Sequence, residues 1–129
     1  MPAIGSAVAQ LQAHLHQTRL LGSISSALYY DQNTVMPAAG AVWRAEQLAL
    51  LASQLHERQS SGHYADLLAA AEAELTADAP PQRRRNLQLL RLELERQRCL
   101  DPALVSALAR AQSHGNAVWQ DAQIGRAHV

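Results

Sequence analysis

The stretch Pro81-Gln82-Arg83-Arg84-Arg85-Asn86-Leu87-Gln88-Leu89-Leu90-Arg91-Leu92-Glu93-Leu94-Glu95-Arg96-Gln97-Arg98-Cys99-Leu100-Asp101-Pro102 decides the fold class. Leu87, Leu90 and Leu94 recur at spacings of three and four, which marks one face of a helix. Leu89 and Leu92 widen that face, as expected of a helix covered on more than one side. Pro81 is tolerated in a first helical turn, and Asp101-Pro102 couples a cap residue to Pro at the next helical start. A further helix therefore follows at once, with Leu104, Leu108, Ala111, Val118 and Trp119 as its apolar positions.

The chain before this stretch reads the same way. Ile4, Val8, Leu11 and Leu15, then Leu21, Ile24 and Leu28, predict a first helix over about 3–33. Gly22 weakens its middle or lets a second helix approach closely. Pro37 drives Met36 out of the α region, so Met36 to Gly40 form a tight connection. A second helix is predicted over 41–58 on Leu48, Leu51 and Leu55, and a third over 64–75 after the break at Ser60-Ser61-Gly62. The fourth covers 81–99. The expected class is all-α, with about five helices arranged as helical hairpins or a bundle. No fixed repeat period supports a solenoid.

Composition narrows the function classes. The 129 residues contain 48% hydrophobic side chains, no Phe and no Lys, so Leu and Ala must build the core. Eleven basic residues balance eleven acidic ones, which removes the footprint of a nucleic-acid binder. Nothing approaches the roughly 18 consecutive apolar residues of a membrane span, and no leader-like apolar run is evident. A soluble, intracellular protein is expected. The lone Cys99 excludes an internal disulfide framework and a Cys-cluster metal site.

No complete active site emerges from spacing. His14 and His16 lie about 200° apart around a helix and cannot share a ligand, so both are read as solvated or flanking positions. His56-Glu57 begins like H-E-x-x-H, but Ser60 occupies the second histidine position. Arg83, Arg84 and Arg85 read as a solvated face, Cys99 as a small packed residue, and Tyr29, Tyr30 and Trp43 as core or interhelical packing. A small metal-binding bundle through His14, His56, His63 and His114 would need a convergence that spacing does not indicate.

One motif changes this picture. The run Leu28-Tyr29-Tyr30-Asp31-Gln32-Asn33-Thr34-Val35-Met36-Pro37, followed by Ala41-Val42-Trp43-Arg44-Ala45-Glu46-Gln47-Leu48, resembles the N-terminal signature of the carboxypeptidase Taq family. Asp31, Gln32, Thr34, Met36, Pro37, Arg44, Ala45, Glu46 and Gln47 fall on matching positions. Tyr30, Asn33 and Trp43 depart mildly. The similarity continues at Leu55-His56-Glu57, over 87–98 and 102–108, and at Trp119-Gln120-Asp121-Ala122.

The resemblance implies the N-terminal part of a larger all-α, zincin-type peptidase that is cytoplasmic and homodimeric. Such enzymes remove C-terminal residues from peptides with a divalent metal, zinc or cobalt, held on an H-E-x-x-H helix with a further Glu. None of that machinery lies in this sequence, so no catalytic or metal residue is assigned and the substrate-binding residues stay open. This stretch is expected to bind no metal and to be inactive alone, with neither nucleic acid nor membrane as partner. Arg44 and Glu46 belong either to an internal polar network or to the surface.

The residues after Ala122 fit neither the helix nor the family pattern. Ile124-Gly125-Arg126-Ala127-His128-Val129 back-translates as ATC-GGA-AGA-GCA-CAC-GTC, like a common short-read sequencing adapter, and a CAG codon for Gln123 supplies the adapter's preceding AG. The expected division is 1–122, an incomplete N-terminal helical region, and 123–129, read-through that is not native. A fragment of this kind leaves apolar faces uncovered and is expected to be marginally stable or self-associating. The alternative is a free-standing helical protein-interaction module whose Leu faces take a partner helix.

Overall fold

The computed structural model describes residues 5–126. Five α-helices and one 3-10 turn follow in order: α1 (Ala7–Thr34), the turn Ala38–Gly40, α2 (Ala41–Ser60), α3 (Gly62–Ala73), α4 (Pro81–Arg98) and α5 (Pro102–Arg126). The all-α expectation is met, and no strand occurs among the described residues. Ile4, expected in the first apolar stripe, and Ala3 lie outside the described residues. So do Ala127, His128 and Val129 of the suspected read-through.

The residues group into two compact units. One comprises the described residues up to Leu20 together with His56–Leu100. Its core is Leu11 of α1, Tyr64, Leu68 and Ala71 of α3, and Leu87 and Leu94 of α4, with Val8, Leu15 and Leu90 packed against it. Helix ends here are closed by side chains both local and distant in sequence. Ser6 Oγ accepts from Ala9 N at 3.2 Å, and the Glu74 carboxylate accepts from Ala7 N at 2.7 Å. A carboxylate at a helix N-terminus satisfies orphan N–H groups and opposes the dipole favourably. Ser61 caps α3 through Tyr64 N, which starts that helix two residues before the predicted position. Arg98 donates to the carbonyls of Ser60 and Ser61, where α2 runs out of internal donors. Arg91 makes a two-pronged ion pair with Glu72, joining α4 to α3.

The other unit comprises Leu21–Leu55 and the described residues from Asp101 onward. Its buried positions are Leu48 and Ala49 of α2, Gln32 of α1, and Ala109 and Ser113 of α5. Several expectations fail in this unit. Leu104, Leu108, Ala111, Val118 and Trp119 of α5 all face outward, and Leu108 is 58% exposed. The buried face of α5 instead runs through Ala109 and Ser113, because small residues let backbones approach and Ser113 meets Gln32 by hydrogen bonding. Ile24 is likewise exposed. A Cβ at Gly22 would meet nothing within 4 Å, so that glycine serves no close helix approach. In the first unit, Leu89 and Leu92 are also exposed, so α4 is covered on one face only. The helix α5 runs to Arg126, past the Ala122 boundary read from the sequence, since i to i−4 backbone bonds do not depend on side-chain identity.

Candidate functional site

The signature residues converge on the corner where α1 meets α2. The α1 helix ends as Val35 N and Met36 N both bond to Asp31 O, and the 3-10 turn closes with Gly40 N to Pro37 O at 2.9 Å. Pro37 stands before that turn with φ of −60° and ψ of 142°, the extended geometry that stops a helix. This turn brings Arg44, in the first turns of α2, back onto α1.

Arg44 is the hub. Its Nη2 donates to Asp31 Oδ2 at 2.6 Å, Nη1 to the Leu28 carbonyl at 2.6 Å, and Nε to Gln47 Oε1 at 3.0 Å. Its side chain is 12% exposed against 38% for Asp31. One planar guanidinium thus satisfies three acceptors at once, which an ammonium cannot reproduce. Gln32 is buried and donates through Nε2 to both the carbonyl and the hydroxyl of Ser113. Asn33 donates to Tyr29 O and accepts from Asn116 and Gln120. Thr34 bonds back to Tyr30 O. Glu46 pairs with Arg110 at the surface, and that bond, more than the nearby charge, holds its carboxyl below the usual carboxylate range. The open alternative for Arg44 and Glu46 therefore divides: Arg44 is internal and Glu46 superficial. The signature is a clasp, and each of its polar side chains named here has an intramolecular partner.

Of the two histidines read as solvated or flanking, His16 agrees with the structure and His14 does not. His14 is half-buried, stacked on Tyr64 at 5.0 Å and edge-on to His63 at 5.8 Å. His56 is buried, its Nδ1 3.2 Å from Gln97 Oε1. His16 is exposed, and His114 belongs to the other unit. Among the described residues, no three His, Cys, Asp or Glu side chains are placed to hold a metal ion. His14 and His63 meet edge-on, but both ring nitrogens of His14 are engaged by Arg58, which leaves that histidine no free lone pair for a cation. Cys99 is exposed at the end of α4 rather than packed, and Trp43 and Tyr30 are exposed rather than in a core. Tyr29 is half-buried and donates to Gln112. Arg83, Arg84 and Arg85 are exposed, as expected.

His14 was missed as a structural group because its partners lie more than forty residues away. Its Nε2 lies 3.2 Å from the Arg58 carbonyl, an acceptor only, so Nε2 carries the proton and Nδ1 accepts from Arg58 Nη2 at 3.4 Å. Burial lowers its pKa from 6.5, the charges of Arg58 and His63 lower it further, and the bond to the Arg58 backbone opposes them. A folded-state value below the unfolded one means that the unfolded chain takes the proton first as pH falls. The contribution of His14 is complete above pH 6.5 and is lost as pH falls from there through the folded-state value. Melting temperature should fall on acidification in that window, and His14→Gln should flatten that part of the profile. Identical profiles for the two proteins would refute the assignment.

No described helix is long and apolar enough to cross a membrane. No solved structure matches the chain. A relative, Thermostable carboxypeptidase 1 of Thermus thermophilus, is 31% identical over 108 residues, which cover 83% of this chain and 21% of that protein. The chain thus spans about a fifth of the length of the curated relative it matches. The sequence model described as "Carboxypeptidase Taq (M32) metallopeptidase" matches residues 10–127 and so takes in the whole Asp31-to-Gln47 clasp. On that match, which covers most of its length, the chain belongs to the carboxypeptidase Taq metallopeptidase family.

Proposed function

We propose that this chain is the N-terminal helical region of a metal-dependent carboxypeptidase that releases C-terminal amino acids from peptides. The family match over residues 10–127 carries the reading. In it, the Arg44 clasp and the α3–α4 core form scaffold, and the catalytic chemistry lies outside these residues. A zinc or cobalt ion, when bound, polarises the scissile carbonyl and activates water. The residues here do not fit that ion: the nitrogens of His14 are engaged by Arg58, and His56 faces Gln97. The ligands are assigned to an H-E-x-x-H helix and a further Glu elsewhere in the polypeptide. The stretch alone is accordingly inactive. Residues 1–122 are read as native and 123–129 as read-through, the parent as a cytoplasmic homodimer with peptide C-termini as its substrates.

The test begins with the coding DNA beyond the codon for Ala122. The reading expects the frame to continue to an H-E-x-x-H. The complete protein should then hydrolyse an N-blocked dipeptide, lose that activity to a chelator and regain it with zinc or cobalt, whereas this chain releases nothing. Genuine codons for Ile124 to Val129 followed by a stop, or a complete protein without release, would overturn it. A free-standing helical interaction module would then be the better description.

A further inference from the structure

In the unit that holds α3 and α4, an open groove of about 950 Å³ lies between α1 and α4. Its floor is apolar, formed by Leu11, Leu15, Leu87 and Leu90, while Arg19 and Arg83 stand among its lining residues and no carboxylate does. Neither guanidinium has an ion-pair partner among the described residues. Arg83 stands in the first turn of α4 beside Arg84, with no acidic residue in that turn. The positive end of the helix dipole lies there already, so like charge accumulates at the groove without internal compensation.

We propose that this groove seats an amphipathic partner helix whose Leu- and Ala-rich face is flanked by Asp or Glu. From Val8 to Arg19 the α1 wall runs about 16 Å at 1.5 Å per residue, three turns of a helix. That length suits apolar anchors at i, i+3, i+4 and i+7. The leucine floor supplies apolar burial, and the arginines select the sign of the flanking charge. A phosphodiester strand would leave this floor uncovered, which favours a helix as the occupant. The inference does not depend on the peptidase reading.

The test titrates the full chain with two labelled, helix-stapled Leu/Ala peptides, identical except for Glu or Lys at the flanking positions. Fluorescence anisotropy should show the Glu peptide binding at least about tenfold more tightly, with an advantage that shrinks as salt rises. The pair Arg19→Glu and Arg83→Glu should invert that preference. Helix content should persist in the double variant, because an acidic residue in the first turn of α4 suits the dipole better than Arg83 does. Loss of binding in a folded variant is therefore separable from misfolding. Equal affinity for the two peptides, no binding of either, or a preference that survives the double substitution would each overturn the proposal. So would a dimer of the chain alone that the double substitution dissociates, since the occupant would then be a second copy.

Discussion

Replacing Leu94 with Ala should lower unfolding stability by about 3 kcal/mol, within the range for leucine truncation at a fully buried site. The side chain is 0% exposed, enclosed by the cluster of Leu11, Tyr64, Leu68 and Ala71. Truncation removes the transfer free energy of the lost carbons and leaves a cavity that helices pinned by Arg91–Glu72 and Arg98 cannot readily close. For a chain of this size the melting midpoint should drop by roughly 10 °C. Leu92, two residues away on the same helix, is 44% exposed, and its truncation should cost no more than about 0.5 kcal/mol. Urea denaturation followed by circular dichroism measures both. Equal costs would mean that α4 presents a different face from the one described.

The second large effect is at Arg44. Arg44→Ala leaves the Asp31 carboxylate without this donor and takes the second, side-chain donor from the Leu28 carbonyl, and removing one partner of a buried ion pair costs about 3–5 kcal/mol. Asp31 retains partial solvent access, which lessens the penalty, so about 2–3 kcal/mol is expected. Arg44→Lys should recover less than half of that loss, because an ammonium keeps the charge but cannot present three in-plane donors to α1 and Gln47 together. Paired with Asp31→Asn in a double-mutant cycle, Arg44→Ala should show clear non-additivity. Independent costs for the two changes would remove Arg44 from the centre of the clasp.

The signature offers the sharpest contrast between pattern and role. Asp31, Gln32 and Arg44 were recognisable as a motif, yet nothing local indicated that Gln32 would lie against Ser113, eighty-one positions later. Residue type alone points Cys99, Trp43 and Tyr30 to packing, yet all three are exposed, because residue type does not say whether a helix face has a neighbour. His14 shows the reverse: a histidine read as solvated is held by Arg58, Tyr64 and His63 across three helices.

Helix positions, the stop at Pro37, the Asp101-Pro102 junction and the all-α class follow from short-range causes, namely side-chain periodicity, missing N–H groups and capping. These act within a few residues, so they can be read along the chain. Which face of each helix is buried depends on partners brought together by long-range closure. In α4 the apolar periodicity and the packed face coincide at Leu87, Leu90 and Leu94. In α5 they separate, because close approach through Ala109 and Ser113 and the hydrogen bonds to Gln32 outweigh the burial of Leu104, Leu108 and Trp119. Hydrophobicity is summed over surfaces and carries no address, whereas a buried amide must meet its particular partner or bear the cost of desolvation.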